Sequence, residues 1–196
     1  MQTIIKQTIW RILELFYING NKPSHLRDIA RQLELNQSGV LRHLNQLTKK
    51  EVLLSTPEAN LKKFSIRKDQ IPNIFPLFDQ SKFNSLNLLR RNAITNFINL
   101  AKEKPVVVVV FGSTAKGKPR RDSDLDLLEI TNRSVKREDT LREVESQTGI
   151  HIQLTQICLK DFKTELKLGK DKLIQSAVNS GFPAFNANYY YKLKNE

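Results

Sequence analysis

The first third of the chain changes from a helical to a strand-like pattern of apolar residues. Apolar positions recur at helical spacing in three segments between Thr3 and Lys49, the first of which ends at Ile18, and this predicts three amphipathic helices. Two short β-like pieces, Val52–Ser55 and Lys62–Arg67, follow around a turn-prone segment and predict a hairpin. Three helices and a hairpin in this order predict a first domain over residues 1–69.

A second domain is predicted after residues 70–80, an apolar stretch with two prolines that we expect to be a linker packed against a domain. A long amphipathic helix is expected from Ser81 to Lys102, with Leu89 on its inner face and Arg90 on its solvated outer face. Val106–Val110 is an apolar run typical of a buried strand. Helix and strand patterns continue to the end of the chain. The whole pattern predicts an α+β protein, with a small mixed sheet flanked by helices over residues 81–196.

The charge of the chain favours polyanionic partners. Its 196 residues carry a formal net charge of +12, and residues 1–69 hold 12 basic against 6 acidic side chains. The surplus is therefore +6 in the first domain and +6 in the remainder, which favours nucleic acid. No apolar run is long enough to cross a bilayer, and the single cysteine, Cys158, cannot form an internal disulfide. We therefore expect a cytoplasmic protein without a membrane partner.

The most informative chemistry lies between residues 106 and 130. The strand-like run ends at Gly112-Ser113, a turn whose N–H groups and hydroxyl can bind phosphate. A basic loop then leads to Asp124 and Asp126, which would lie side by side because residues two apart on a strand share a face. Adjacent carboxylates repel each other unless a cation lies between them, and hard oxygen ligands suit Mg²⁺. The pattern predicts a site for a nucleoside triphosphate and its metal.

This segment, Phe111 to Ile130, resembles the signature of the DNA-polymerase-beta-like nucleotidyltransferases, and in particular their small minimal members. The resemblance implies that Asp124 and Asp126 are the catalytic carboxylates and bind Mg²⁺ or Mn²⁺. It also implies that a nucleoside triphosphate, with ATP favoured, is the substrate or ligand. The residues expected to bind its phosphates are Gly112, Ser113, Lys118 and Arg121.

Active members of that family add a third carboxylate from a later strand, which here matches Ile150–Ile157. The side chains expected to face the site from this strand are not acidic, and Glu129 is expected to point away from Asp126 because the two are three residues apart on one strand. Gln153 is the first candidate for the replaced position and His151 is the second. A neutral amide or imidazole cannot supply the negative charge that binds a second metal. Metal–nucleotide binding is therefore a firmer expectation than catalysis, and whether the chain is an enzyme stays open.

The first domain resembles the winged helix-turn-helix regulators, in which a segment like Leu26-Arg27-Asp28-Ile29-Ala30 precedes the turn. The resemblance implies that the third helix enters a major groove of DNA and that the hairpin is the wing. Arg, Asn and Gln side chains suit base edges, and wing lysines suit phosphates. The residues expected to contact double-stranded DNA are Gln37, Ser38, Arg42, His43, Asn45, Gln46, Lys62 and Lys63.

Three functions remain open from the sequence. The first is a DNA-binding regulator whose second domain binds a nucleotide, with or without transferring it. The second is a nucleotidyltransferase that moves AMP to a protein, an RNA end or a small hydroxylated molecule, with the winged helix recognising the substrate or a toxin-like partner. The third is a catalytically inactive domain used for dimerisation. A homodimer is expected in the first case because winged helices commonly read palindromes as two-fold pairs.

Overall fold

The structure is a computed structural model that describes residues 7–117 and 123–196. It divides into two compact units, residues 1–78 and 79–196. Each unit combines helices with a small sheet, which confirms the α+β class expected from the sequence. No helix in the described part of the chain is long and apolar enough to span a bilayer.

The first unit consists of three helices and a three-stranded antiparallel sheet. In chain order its elements are α1 (Gln7–Ile18), β1 (Ser24–His25), α2 (Leu26–Leu33), α3 (Gln37–Lys49), β2 (Leu53–Glu58) and β3 (Leu61–Ile66). The strand order is β1-β3-β2, so the hairpin of β2 and β3 gains a short third strand just before α2. This is the winged-helix arrangement that the sequence predicted. Its core includes Ile12, Ile29, Val40 and Leu44, all of which are fully buried.

The stretch expected to be a linker at residues 70–80 is largely helical. Gln70 ends a short 3-10 turn, and residues 71–80 belong to α4 (Ile71–Ser85). The ring of Phe78 packs 4.6 Å from the ring of Trp10. The apolar residues that were expected to tether a linker therefore anchor a helix to the first unit.

The single helix predicted from Ser81 to Lys102 is wrong, because a break separates α4 from α5 (Leu88–Leu100). The side chain of Asn87 caps the new helix and accepts a hydrogen bond from the main-chain N–H of Arg90 at 2.9 Å. The break also changes which residues face inward. Leu89, expected on the inner face, is 53% exposed, whereas Arg90, expected on the solvated face, is 1% exposed.

The second unit is built on a four-stranded mixed sheet. After α5 its elements are β4 (Val107–Val110), α6 (Gly112–Ala115), β5 (Leu125–Thr131), α7 (Glu138–Thr148), β6 (Ile152–Cys158), α8 (Leu159–Leu168), α9 (Lys172–Ser180), β7 (Phe182–Phe185) and α10 (Ala187–Asn195). The strand order is β6-β5-β4-β7. The β5–β6 pair is parallel, and the β4–β5 and β4–β7 pairs are antiparallel.

Alternation along the strands of this sheet separates an apolar face from the face that carries Asp126. Leu125 and Leu127 are fully buried in a core with Phe97 of α5 and Val144 of α7. Successive residues of a strand point to opposite faces. The side chain of Asp126 therefore emerges on the face opposite to this core.

The other acidic residue of β5, Glu129, is fully buried and already paired. Arg137 donates hydrogen bonds to its carboxylate from Nε at 3.1 Å and from Nη2 at 2.6 Å. The side-chain amide of Gln156 donates a further bond at 2.7 Å. Alternation directs Glu129 away from the face of Asp126, as expected from the sequence. Because its oxygens are also occupied, Glu129 is a structural residue.

Candidate functional site

The turn after β4 is held against the second aspartate. Gly112 has a φ of +67°, a backbone conformation that side-chain-bearing residues seldom adopt. A Cβ atom on Gly112 would collide with the carboxylate of Asp126, whose Cγ lies 2.8 Å from that position. In addition, the main-chain N–H of Phe111 donates to the carbonyl of Asp126 at 3.1 Å. Only glycine allows the turn and this carboxylate to approach so closely.

The two aspartates lie close enough to each other for the charge of one to affect the other. Asp124 is exposed, and Asp126 is half-buried. Burial and then the nearby charge of Asp124 raise the pKa of the Asp126 carboxyl, while the charge of Arg90 opposes the rise. Among residues 7–117 and 123–196, no side chain donates a hydrogen bond to either carboxylate. Within these residues, the pair therefore retains negative charge that no side-chain hydrogen bond neutralises.

Arg90 of α5 is buried beneath the site and bonds to both segments that form it. Its Nη1 donates to Thr114 Oγ1 at 2.8 Å and to the carbonyl of Asp124 at 3.3 Å. Its Nη2 donates to the carbonyl of Ser123 at 2.6 Å and to the Ser123 hydroxyl at 3.0 Å. One guanidinium group thus joins the end of the turn to the beginning of β5.

Gln153 is the residue beside Asp126 on the neighbouring strand. The parallel register pairs Asp126 with Gln153 directly, and paired residues of neighbouring strands point to the same face. The ring of His151 instead lies 3.3 Å from the carboxylate of Glu145 on α7. Within the described residues, no group of three His, Cys, Asp or Glu side chains could hold a metal ion. The register therefore places Gln153, and not His151, directly beside Asp126.

The remaining residues predicted to bind phosphate have different outcomes. Ser113 is half-buried, and its hydroxyl lies 3.5 Å from that of Ser123, so it belongs to the same cluster. Lys118 and Arg121 lie outside the described residues. Lys116, the basic residue that follows α6, is exposed.

The predicted DNA-binding residues lie on α3 and the wing of the first unit. Six of them are exposed, namely Gln37, Ser38, Arg42, Asn45, Gln46 and Lys62. His43 and Lys63 are half-buried, and Lys63 Nζ donates to Glu58 at 2.6 Å. A cavity of about 700 Å³ separates α3 from the wing, and its lining includes the exposed leucines Leu41 and Leu61. The face is therefore polar and basic with an apolar patch.

Comparison with known families identifies the region that contains the aspartates. Residues 94–181 match the family model of the nucleotidyltransferase domain. This match includes the Gly112 turn, both aspartates and β6, and it begins within α5 after Arg90. No curated protein matches the chain.

Solved structures show likenesses to parts of the chain. A toxin–antitoxin structure with AMP-PNP is 18% identical, covers 53% of this chain and 82% of its own chain, and has a TM-score of 0.39. ZitR, a zinc-responsive MarR family member of Lactococcus lactis, is 18% identical, covers 51% of this chain and 76% of its own, and has a TM-score of 0.31.

Arg90 is the residue of the second unit that sequence reasoning missed. It was assigned to a solvated helix face because the helix was assumed to be continuous. The signal that could have revealed it is Asn87, since an Asn three residues before a potential first-turn N–H is a typical helix cap. A helix that begins at Leu88 has a different inner face from one that begins at Ser81.

Proposed function

We propose that the second unit binds a nucleoside triphosphate together with a divalent metal ion, Mg²⁺ or Mn²⁺, and that ATP is the preferred nucleotide. The observation that carries this proposal is the close packing of the Asp126 carboxylate against Gly112. This packing brings a phosphate-binding turn and two carboxylates to one place. The family match over residues 94–181 supports the same chemistry.

The residues of the site suit a hard cation. Asp124 and Asp126 would hold the ion through carboxylate oxygens, the ligand type that Mg²⁺ and Mn²⁺ prefer. The raised pKa of Asp126 reflects partly buried negative charge beside a second carboxylate, and a bound cation would relieve that repulsion. When bound, the ion would neutralise phosphate charge and orient the phosphates. The amide of Gln153 could add a neutral oxygen ligand beside Asp126.

The protein groups around the cation have separate roles in this proposal. The main-chain N–H groups of Gly112 and Ser113 donate to phosphate oxygens at the start of α6. The resemblance gives Lys118 and Arg121 the task of binding the remaining phosphate charge. Since Gln153 carries no negative charge and cannot accept a proton from an acceptor hydroxyl, the site favours binding over transfer.

The first unit supplies a DNA-binding surface in this proposal. Exposed Arg42, Asn45 and Gln46 project from α3, and such side chains can hydrogen-bond to base edges. Exposed Lys62 on the wing suits a phosphate. The protein would then act as a regulator whose affinity for duplex DNA depends on the nucleotide, provided that the nucleotide favours one conformation. An Arg42→Ala variant should bind DNA at least about tenfold more weakly, and unchanged affinity would contradict this part of the proposal.

Direct binding and transfer assays test the nucleotide site. Purified protein is incubated with each α-phosphate-labelled nucleoside triphosphate and Mg²⁺ or Mn²⁺, beside an Asp124→Asn/Asp126→Asn variant. We expect metal-dependent binding that the double variant loses. Equal binding by both proteins, or none by the wild type, would contradict the proposal.

The second candidate is transfer of a nucleoside monophosphate, favoured by the family match. In this case the winged helix recognises the acceptor or a partner protein, and the apolar patch of Leu41 and Leu61 is where protein contacts would form. The same labelled nucleotides distinguish the candidates. Label that enters the protein, RNA or a partner, and that disappears in the double variant, would establish an enzyme.

A further inference from the structure

Arg90 is a charged residue that is buried within the second unit. It is 1% exposed, and burial of a guanidinium group is costly unless its donors are satisfied. Four hydrogen bonds from its two terminal nitrogens satisfy donors, and all four acceptors are main-chain carbonyls or hydroxyls. These four bonds join Arg90 to the backbone and hydroxyls around the aspartates.

The acceptors of Arg90 lie at two separated points of the chain. Thr114 belongs to α6, the short helix that begins at Gly112, and Ser123 and Asp124 directly precede β5. Both points must be placed correctly for a phosphate-binding turn and an aspartate pair to serve one ligand. A single planar group that bonds to both points fixes their separation.

The charge of Arg90 suits this position as well as its shape. Burial lowers the pKa of Arg90, and the negative charges of Asp126 and Asp124 oppose that decrease. The aspartates therefore help to retain a buried cation, while their carboxylate oxygens stay available to a ligand. Lysine has a single nitrogen and could not reproduce four bonds from two nitrogens in a planar fork.

We propose that Arg90 is a positioning residue that holds the Gly112 turn and the start of β5 in the arrangement needed to bind one metal–nucleotide. This inference rests on the proposed nucleotide site. Arg90 touches neither metal nor phosphate in this role and acts through Thr114, Ser123 and the main chain of Asp124. It also lies outside the region that matches the family model, residues 94–181.

Arg137 offers a matched control for Arg90. It is 5% exposed, belongs to the same unit and is bonded to buried Glu129. Replacement of either arginine by lysine keeps the charge and removes a planar fork from a buried position. A merely structural role predicts similar consequences for Arg90→Lys and Arg137→Lys.

Two measurements on the full chain test the proposal. Amide hydrogen exchange without ligand is followed in residues 111–117 and 123–127, and Mn²⁺–ATP binding is measured by calorimetry. In Arg90→Lys we expect faster exchange in both segments and binding weakened by about tenfold or more, the range for loss of a residue that orients metal ligands. In Arg137→Lys we expect no selective change in these segments and less than about a twofold change in binding.

The outcomes separate this inference from the proposed function. Unchanged exchange in both segments of Arg90→Lys would overturn the positioning role, even if nucleotide binding by the wild type is confirmed. Faster exchange in both segments of Arg90→Lys, together with no nucleotide binding by the wild type, would support the positioning of the two segments by Arg90. The same result would contradict the nucleotide site. Equal losses of exchange protection and binding in the two lysine variants would mean that Arg90 contributes only to the general stability of the unit.

A variant of the acceptor covers the case in which Arg90→Lys does not fold. Thr114→Val keeps the shape of a buried side chain, 1% exposed, and removes one acceptor of Arg90. We expect the same selective loosening in residues 111–117 with a smaller loss of Mn²⁺–ATP affinity. If Thr114→Val has the same amide exchange and the same Mn²⁺–ATP affinity as the wild type, the proposal is also overturned.

Discussion

Two parts of β5 combine acidic side chains with a buried arginine, and they do so in opposite ways. Near the end of the strand, Arg137 bonds directly to the carboxylate of Glu129. At its beginning, Arg90 bonds to the main chain and hydroxyls around Asp124 and leaves the carboxylates of Asp124 and Asp126 without a bonded side chain among the described residues.

Under the proposed function, one strand therefore serves stability at one end and ligand binding at the other. A carboxylate bonded to arginine and glutamine has little capacity for another ligand, so the Glu129 cluster is a closed structural network. The aspartates are held next to a cation that neutralises part of their charge at a distance, and their oxygens stay available. Buried arginines of the same unit thus indicate different roles through the atoms that they contact.

Breaking the closed pair should have the largest effect on stability. Glu129→Gln leaves Arg137 buried without its carboxylate, and the loss of one partner of a buried pair typically costs about 3–5 kcal/mol. We expect the free energy of unfolding, measured by chemical denaturation, to fall by about this amount. Arg133→Gln, which breaks the exposed pair with Glu103, should change it much less, because water screens an exposed ion pair. Similar losses in the two variants would show that the closed network is not special.

The beginning of β5, where the two aspartates lie, is called the open end here because their carboxylates stay available. Its ligand binding should be most sensitive to substitution of Gly112, where the turn meets Asp126. Gly112→Ala places a Cβ on the carboxylate in a residue with a φ of +67°. We expect a loss of Mn²⁺–ATP binding together with a destabilisation greater than the roughly 1–2 kcal/mol of the left-handed backbone alone.

Gly149→Ala is the matched control for this change. Gly149 has a φ of +66°, and no atom lies within 4 Å of a Cβ added there. The backbone cost is therefore the same, and the collision is missing. Equal destabilisation by both alanines, with nucleotide binding intact in both, would argue against the contact between the turn and Asp126 as the basis of the site.

Most of the open end could be predicted from sequence because its residues are close along the chain. Gly112-Ser113 and Asp124-x-Asp126 identify a turn and a strand, and strand periodicity predicts that the aspartates share a face. The winged helix could be predicted for the same reason, since each amphipathic stripe is local. Glu129 was also assigned correctly to the opposite face by alternation.

The support beneath the aspartates could not be predicted in the same way. Arg90 lies in a different helix, and its inward direction depends on the break at Asn87, which a single amphipathic pattern from Ser81 to Lys102 conceals. The pairing of Asp126 with Gln153 depends on strand register, which the sequence indicates only as a candidate. Long-range partners of polar groups thus require the structure, whereas local motifs do not.

The smallest expected effect is a pH dependence of stability whose sign for Asp126 is opposite to that for Glu103, which belongs to an exposed ion pair with Arg133. The pKa of Asp126 is raised in the folded state, chiefly by burial, so the folded state favours the protonated form. The stability that this preference provides is present below the usual value of 3.8 and is lost as pH rises through the folded pKa. In the presence of a chelator, Asp126→Asn should therefore have a higher Tm than the wild type at neutral pH, with the difference vanishing in acid.

Glu103→Gln should instead have a lower Tm than the wild type at neutral pH, because the hydrogen bond from Arg133 lowers the pKa of Glu103 and its ionised form stabilises the fold at neutral pH. Thermal melts of both variants from pH 3 to pH 8 measure these differences, and a lower Tm for Asp126→Asn at neutral pH would mean that the aspartate stabilises the fold even without a cation.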